Sequence, residues 1–197
     1  MASVRPATAA DLPALGRALA AAFDDDPFWE WLTPDRTRYR RAAPAFFERD
    51  AALRMAAPGE VLVDDQLRGA AIWCAPAAWR SSAADAARIA VPSLRLFGTR
   101  TVHGVKAMRA LERAHPPHPH HWYLSVLGTD PAHQGHGVGS ALIRAVTDRC
   151  DEQGLPAYLE SSKESNVPFY ARHGFKVVEA LPVAGGPTMW PMWREPR

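Results

Sequence analysis

A run of aromatic and apolar residues, Trp122, Tyr123, Leu124, Ser125, Val126 and Leu127, breaks at Gly128 into a loop whose glycines alternate: Gly135, Gly137 and Gly139. The run predicts a buried strand. The apolar spacing from Ala141 and Leu142 to Val146 then predicts a helix that continues to about residue 153. A strand feeding a helix through such a loop sets an α/β order and delivers a helix N-terminus. The unpaired N–H groups and partial positive charge there favour an anion. Glycines at these positions allow close backbone approach to a ligand, and they equally serve a tight strand-to-helix turn with no ligand at all.

The dinucleotide pattern GxGxxG does not fit, because Ser140 takes the third position after Gly135 and Gly137, and Leu142 takes it after Gly137 and Gly139. The phosphate loop GxxxxGK[ST] does not fit either, since no Lys follows these glycines.

Upstream, Val4, Arg5 and Pro6 predict a short first strand, and Thr8 is placed to cap a helix whose stripe is Leu12, Leu15, Leu19 and Phe23. Three acids, Asp24 to Asp26, end it. Phe28, Trp29 and Trp31 follow, fitting either a packed connecting turn or the wall of an acceptor pocket, with Asp26 beside it to attract a cationic amine. A helix is predicted over 36–55, with its arginines on a solvated face, followed by a hairpin of 60–63 and 69–73 around a polar turn. Residues 82–113 predict two helices broken at Pro92 and Gly98.

Residues 115–121 alternate His and Pro without the usual zinc spacing. They predict a stiff linker that leaves His121 at the mouth of the central strand, within reach of substrate. Beyond the central helix come a strand over 157–162, a short helix over 166–173 capped by Gly174, and two final strands around 176–179 and 189–193. The order predicts a mixed α/β sheet of about seven strands, with a cleft where the strands holding Tyr123 and Tyr158 run parallel.

With 197 residues, 47% of them apolar, the chain has room for one domain, 1–197. A formal charge of +2 with scattered Lys and Arg argues against a nucleic-acid partner, and no apolar run reaches the length of a membrane span. The N-terminus lacks a signal-peptide core, so a cytoplasmic location is expected. Cys74 and Cys150 stand in no metal-ligand spacing and are expected to be buried free thiols; no metal site is expected.

Gln134-x-x-Gly137-x-Gly139 resembles the pyrophosphate-binding signature of the GCN5-related N-acetyltransferase family, and Asn166-x-x-x-Tyr170-x-x-x-Gly174-Phe175 resembles that family's second signature. The two signatures stand in the family's order, separated by a predicted helix and strand. The 159–162, 166–170 and 130–135 stretches, together with Gly186, Pro187 and Trp190, are similar to the puromycin N-acetyltransferase branch.

This resemblance implies a mostly antiparallel sheet whose parallel central pair splays into an acetyl-CoA cleft, with 120–197 forming that core and 1–115 the acceptor side. It implies acetyl-CoA held by Gln134, Gly135, His136, Gly137, Val138, Gly139, Ser140, Asn166 and Tyr170, with Leu127, Gly128 and Thr129 along the pantetheine arm. It implies transfer of an acetyl group to a small primary amine, puromycin-like in the antibiotic-resistance reading. Tyr170 would be the general acid and Glu160 the leading general base, while Phe28, Trp29, Asp26 and His121 would meet the acceptor. A peptide or protein amine as acceptor, and a non-catalytic acyl-CoA sensor, are the alternatives. The sequence indicates no oligomeric state.

Overall fold

The computed structural model describes residues 2–80 and 82–197. The N-terminal half runs β1 (Val4–Pro6), α1 (Leu12–Ala22), α2 (Pro27–Leu32), α3 (Arg36–Met55), β2 (Gly59–Asp64) and β3 (Gly69–Cys74). Two helices follow, α4 (Ala83–Phe97) and α5 (Thr101–Ala114). The rest runs β4 (Trp122–Thr129), α6 (Val138–Gln153), β5 (Ala157–Ser161), α7 (Val167–Arg172), β6 (Lys176–Val177), β7 (Leu181–Pro182) and β8 (Thr188–Arg194).

The strands pair in the order β1-β2-β3-β4-β5-β8-β6, with β7 on β8. Every pairing is antiparallel except that of β4 with β5. This is the expected mixed, mostly antiparallel sheet with one parallel pair, in eight strands rather than seven. The additional strand is the two-residue β7, too short to leave an alternation in the sequence.

The hairpin forms as expected because Asp64, fully buried, accepts from the Arg68 N–H at 2.6 Å, the Gly69 N–H at 3.0 Å and Arg68 Nε at 2.7 Å. Those three donors fix the turn.

Several local expectations are corrected. Phe28 to Leu32 form a helix rather than a connecting turn: Pro27 takes the first helical position, and the Asp26 side chain accepts from the Phe28 and Trp29 N–H groups. Pro92 lies inside α4 and does not end it, whereas Gly98 does. Thr8 caps a short 3₁₀ turn, Ala9–Asp11, rather than α1 directly, in a reciprocal capping box with Asp11, whose Oδ2 accepts from the Thr8 N–H and hydroxyl at 2.7 and 2.8 Å. Arg36 and Arg40 of α3 are not simply solvated, because both pair with Asp24.

Two cores lie on opposite faces of the sheet. Ala71, Trp73, Leu124 and Leu159 face α6 and α7, packing on Leu142, Ile143, Val146 and Phe175. Ala70, Ile72 and Val126 face α1 and α3, packing on Leu15, Leu19 and Phe47. Both cysteines are buried and free.

Arg5 grips Asp11 through two nitrogens, at 2.7 and 2.9 Å, and with Thr8 holds its carboxyl well below the usual range. A depressed carboxylate stabilises the fold fully above its unfolded-state value, near 4, and this contribution is lost as pH falls through the lower folded value. Asp11→Asn is therefore expected to lower stability at neutral pH and to flatten its fall below about pH 4, read by urea unfolding across pH. An unchanged acid slope would contradict this.

Candidate active site

The site starts from a mismatch in strand pairing. β4 is bonded to β5 only at Trp122, Tyr123 and Leu124, whereas β3 follows β4 all the way to Thr129. Between Ile72 and Trp73 the β3–β4 register shifts, leaving Ser125 as an extra residue whose hydroxyl donates to the Ile72 carbonyl at 3.2 Å. Such a bulge bends its strand and increases the twist. β5 meanwhile stays paired to β8 through Ser161. The two central strands therefore part beyond Leu124, and the flank of Leu127, Gly128 and Thr129 that faces β5 has no strand partner.

At the open end of β4 lies the glycine loop. Residues 131–137 are exposed, and Gly135 and Gly137 take left-handed conformations at φ +79° and +80°. Gly137 caps α6, whose first bond runs from the Ala141 N–H to the Gly137 carbonyl at 3.0 Å. The N–H groups from Gly135 to Ser140 find no backbone acceptor among the described residues. Six consecutive amides thus lie without backbone acceptors at and just before a helix N-terminus, a donor set suited to a diphosphate.

Gln134 donates to the Thr129 carbonyl at 3.3 Å, and Nδ1 of His136 to that of His133 at 3.3 Å; both contacts shape the loop. Ser140 is tied to His173 of the α7 end at 3.0 Å. Val138 points its side chain into the core, so only its amide is available. A Cβ on Gly139 would sit 3.3 Å from the Phe169 ring, which packs the start of α6 against α7. A Cβ on Gly128 would lie 2.8 Å from Leu19 and 2.9 Å from Ala22, so this glycine serves the approach of α1 to the sheet.

Tyr170 lies on α7, 8% exposed. Burial, with a smaller contribution from the Asp26 charge, pushes its phenol far above the ordinary value and keeps it protonated. Its hydroxyl makes no hydrogen bond within the described residues, nor is it among the oxygens sealed from solvent. The phenol is thus neutral and its O–H unengaged among the described residues. Asn166, which precedes α7, likewise leaves its side chain uncommitted.

Asp26, 2% exposed, accepts from the Ser162 hydroxyl just past β5, and Lys163 pairs with Asp25 at 2.5 Å. Desolvation outweighs these partners and raises the Asp26 carboxyl. The three acids are thus engaged by the protein itself, fastening the α1–α2 corner to the loop beyond β5.

Glu160 extends from β5 into a buried cluster on the other side. His115 Nδ1 is 3.6 Å from Glu160 Oε1, and His115 Nε2 is 2.9 Å from His121 Nε2. Tyr123 and Tyr158 adjoin Glu160, and burial first, then that carboxylate, raises both phenols. Tyr158 holds its hydroxyl buried without a partner.

A family model described as the acetyltransferase (GNAT) family matches residues 17–175. The chain belongs to the GNAT family. An N-acetyltransferase of Schizosaccharomyces pombe, C550.08, described as uncharacterised, is 40% identical over 62 residues, which cover 32% of this chain and 25% of that protein. The match therefore spans a quarter of the length of that curated relative. The crystal structure of histone acetyltransferase HPA2 and related acetyltransferase from Corynebacterium glutamicum is similar over 100% of this chain and 98% of its own, with 29% identity and a TM-score of 0.69. The ribosomal-protein-S18-alanine N-acetyltransferase of Escherichia coli shares the fold, with 15% identity, a TM-score of 0.53 and coverage of 99% and 94%.

GNAT membership explains why the loop and the strand gap coincide: this family uses acetyl-CoA, and the free amides fit its diphosphate. Of the expected acceptor residues, Trp29 packs among Phe23, Tyr39, Phe46, Phe47 and Phe97, with centroid distances from 4.8 to 6.5 Å. Phe28 lies in a separate cluster with Leu32, Leu111 and Met189. Trp31 covers Gly186, where a Cβ would come within 2.9 Å of the indole. His121 is 2% exposed and bonded to its own linker.

Two features escaped sequence reasoning, the His115–Glu160 contact and the Asp26–Ser162 tether. Only the two histidines flanking the proline-rich turn hinted at the first.

Gly137→Ala tests the loop. An L residue in the left-handed region costs about 1–2 kcal/mol even with open space around its Cβ. The expected outcome is a modest loss of thermal stability with a larger drop in acetyl-CoA affinity, read by calorimetry; affinity equal to wild type would remove Gly137 from the binding loop.

Proposed function

We propose that the protein is an acetyl-CoA-dependent N-acetyltransferase that modifies the primary amine of a small molecule, a puromycin-like aminoacyl-nucleoside being the leading acceptor. The observation that carries this is the coincidence, at one end of β4, of an unpaired strand flank with six free amides. In this reading Gln134, Gly135, His136, Gly137, Val138, Gly139 and Ser140 hold the diphosphate, chiefly through backbone N–H groups. Leu127, Gly128 and Thr129 present their open flank to the pantetheine arm, with Asn166 opposite. Acetyl-CoA supplies an activated thioester, which the neutral amine attacks directly without a covalent enzyme intermediate.

The chain's own groups manage the protons. Tyr170, held neutral, gives its proton to the departing thiolate, whose basicity is that of an ordinary thiol. An alkylammonium with a pKa near 10 must first lose a proton, and Glu160 receives it. Of the expected acceptor residues, Phe28 and His121 are buried, Trp29 is held in ring packing and Asp26 is tied to Ser162, so none of them is assigned to the acceptor.

The test is thiol release from acetyl-CoA in the presence of puromycin and a panel of primary amines and peptide N-termini. Turnover on puromycin supports the full reading. Reaction with a different amine retains the enzyme and removes the antibiotic acceptor, whereas acetyl-CoA binding with no reactive amine would overturn the enzyme reading in favour of an acyl-CoA sensor.

A further inference from the structure

The hydrogen bonds of the buried histidine pair determine where its protons sit. His121 Nδ1 lies 2.8 Å from the Pro119 carbonyl, and a carbonyl only accepts, so Nδ1–H is the donor. Desolvation lowers the proton affinity of this ring, leaving it neutral with a lone pair on Nε2. That lone pair faces His115 Nε2 at 2.9 Å, which makes His115 the donor of the bond between them. A neutral His115 must then carry its own lone pair on Nδ1, the atom 3.6 Å from Glu160 Oε1. A lone pair and a carboxylate do not attract each other; a proton between them makes the contact favourable. Both side chains are nearly sealed, 2% and 4% exposed, so water does little to separate them.

We propose that His115 and Glu160 form one proton-holding pair, in which His115 is a positioning residue that sets the basicity of Glu160. The inference rests on Glu160 being the base of the proposed acetyl transfer. The step balances simply. An N–H bond of the acceptor's ammonium breaks, its electron pair stays on nitrogen, and the proton settles between Oε1 and Nδ1, taking the pair from one negative charge to none. A proton held by two acceptors is bound more tightly than by a lone carboxylate, which makes the pair the stronger base. The 3.6 Å separation is within reach of the tightening that catalytic contacts undergo on substrate binding.

The surroundings fit this role. Trp79 stacks on the His115 ring at 3.7 Å, and the Tyr123 and Tyr158 rings meet it edge-on at 4.8 and 4.7 Å, fixing its plane. Burial and the adjacent Glu160 carboxylate raise both phenols, which stay neutral beside the pair. His115 also lines a cavity of about 360 Å³ with Arg80, Arg109, Glu112, Arg113 and Pro117. The three arginines and Glu112 are exposed. These are the charged groups that face His115 from the α5 end and from the segment after β3.

The test reads the ring nitrogens directly, by NMR of the full chain labelled with ¹⁵N-histidine and titrated between about pH 5 and pH 8. His121 is expected to remain the Nδ1–H tautomer throughout. In Glu160→Gln the midpoint of the His115 signal is expected to fall by about one pH unit or more, because the partner that shared its proton is gone. An unchanged midpoint, or an Nε2–H tautomer at His121, would overturn the proposal whatever the activity.

With a reactive amine in hand, His115→Asn should lower kcat about tenfold or more and move the acid limb of the pH–rate profile to lower pH, leaving the KM for acetyl-CoA unchanged. A uniform loss with an unmoved limb would mark His115 as merely structural and also overturn the proposal. Intact proton sharing without acetyl transfer to any amine would sink the acetyltransferase reading alone.

Discussion

Tyr170→Phe is expected to lower turnover about 100-fold or more while leaving acetyl-CoA affinity close to wild type, since a positioned general acid contributes roughly 10²–10⁴ in rate. The substitution removes one oxygen and little else. The ring stays within a core that includes Val138, Leu142 and Phe175, and it stacks edge-on against Phe169 at 5.3 Å. No hydrogen bond is broken in the free protein, because the hydroxyl makes none among the described residues. A structural role would therefore show as nearly normal turnover.

If the phenol protonates the leaving thiolate, the loss falls on kcat and on kcat/KM equally, which marks an interaction made in the transition state. A thioester with a more acidic thiol should narrow the gap, because its leaving group needs less help. Full turnover in Tyr170→Phe would remove the acid role outright.

Phe47→Ala carries the largest expected effect on stability, about 3–5 kcal/mol for a large ring removed from a close-packed core. Phe47 is fully buried on α3. It stacks on Phe23 at 5.4 Å, meets Trp29 at 4.8 Å and contacts Phe46 edge-on at 5.6 Å, so its loss opens a gap among α1, α2 and α3 together. For a chain of this size the melting temperature should drop by roughly 6–20 °C, read by calorimetry. Because the sheet separates this cluster from α6 and the glycine loop, acetyl-CoA affinity measured well below the transition should hold. A drop below about 1 kcal/mol would mean that the aromatic cluster collapses to fill the space.

Those two variants probe regions that differ in how far they were legible from sequence. The stretch from Trp122 to Ser140 is a local code: aromatic and apolar residues for a strand, then glycines where the chain turns left-handed at 135 and 137. The helix carrying Tyr170, with Gly174 behind it at φ +91°, is equally local. Even the Phe28–Trp31 helix had its signal, an Asp before a Pro, although a connecting turn was the expected form. By contrast, nothing near Trp29 in sequence reports that it would meet Phe46, Phe47 and Phe97 on two other helices.

By itself, the sequence determined most of the strands and helices, where the loop amides without backbone acceptors lie, and which family the chain resembles. Each of those follows from residues a few positions apart, through backbone sterics and the periodicity of burial. Tertiary structure alone decided that Ser125 bulges, that β4 leaves β5 after Leu124, that Asp26 fastens to Ser162, and that Glu160 shares its surroundings with His115. Their partners are 136 positions apart for Asp26 and Ser162. Such contacts form only once the whole sheet has closed and desolvated them, so no local propensity encodes them.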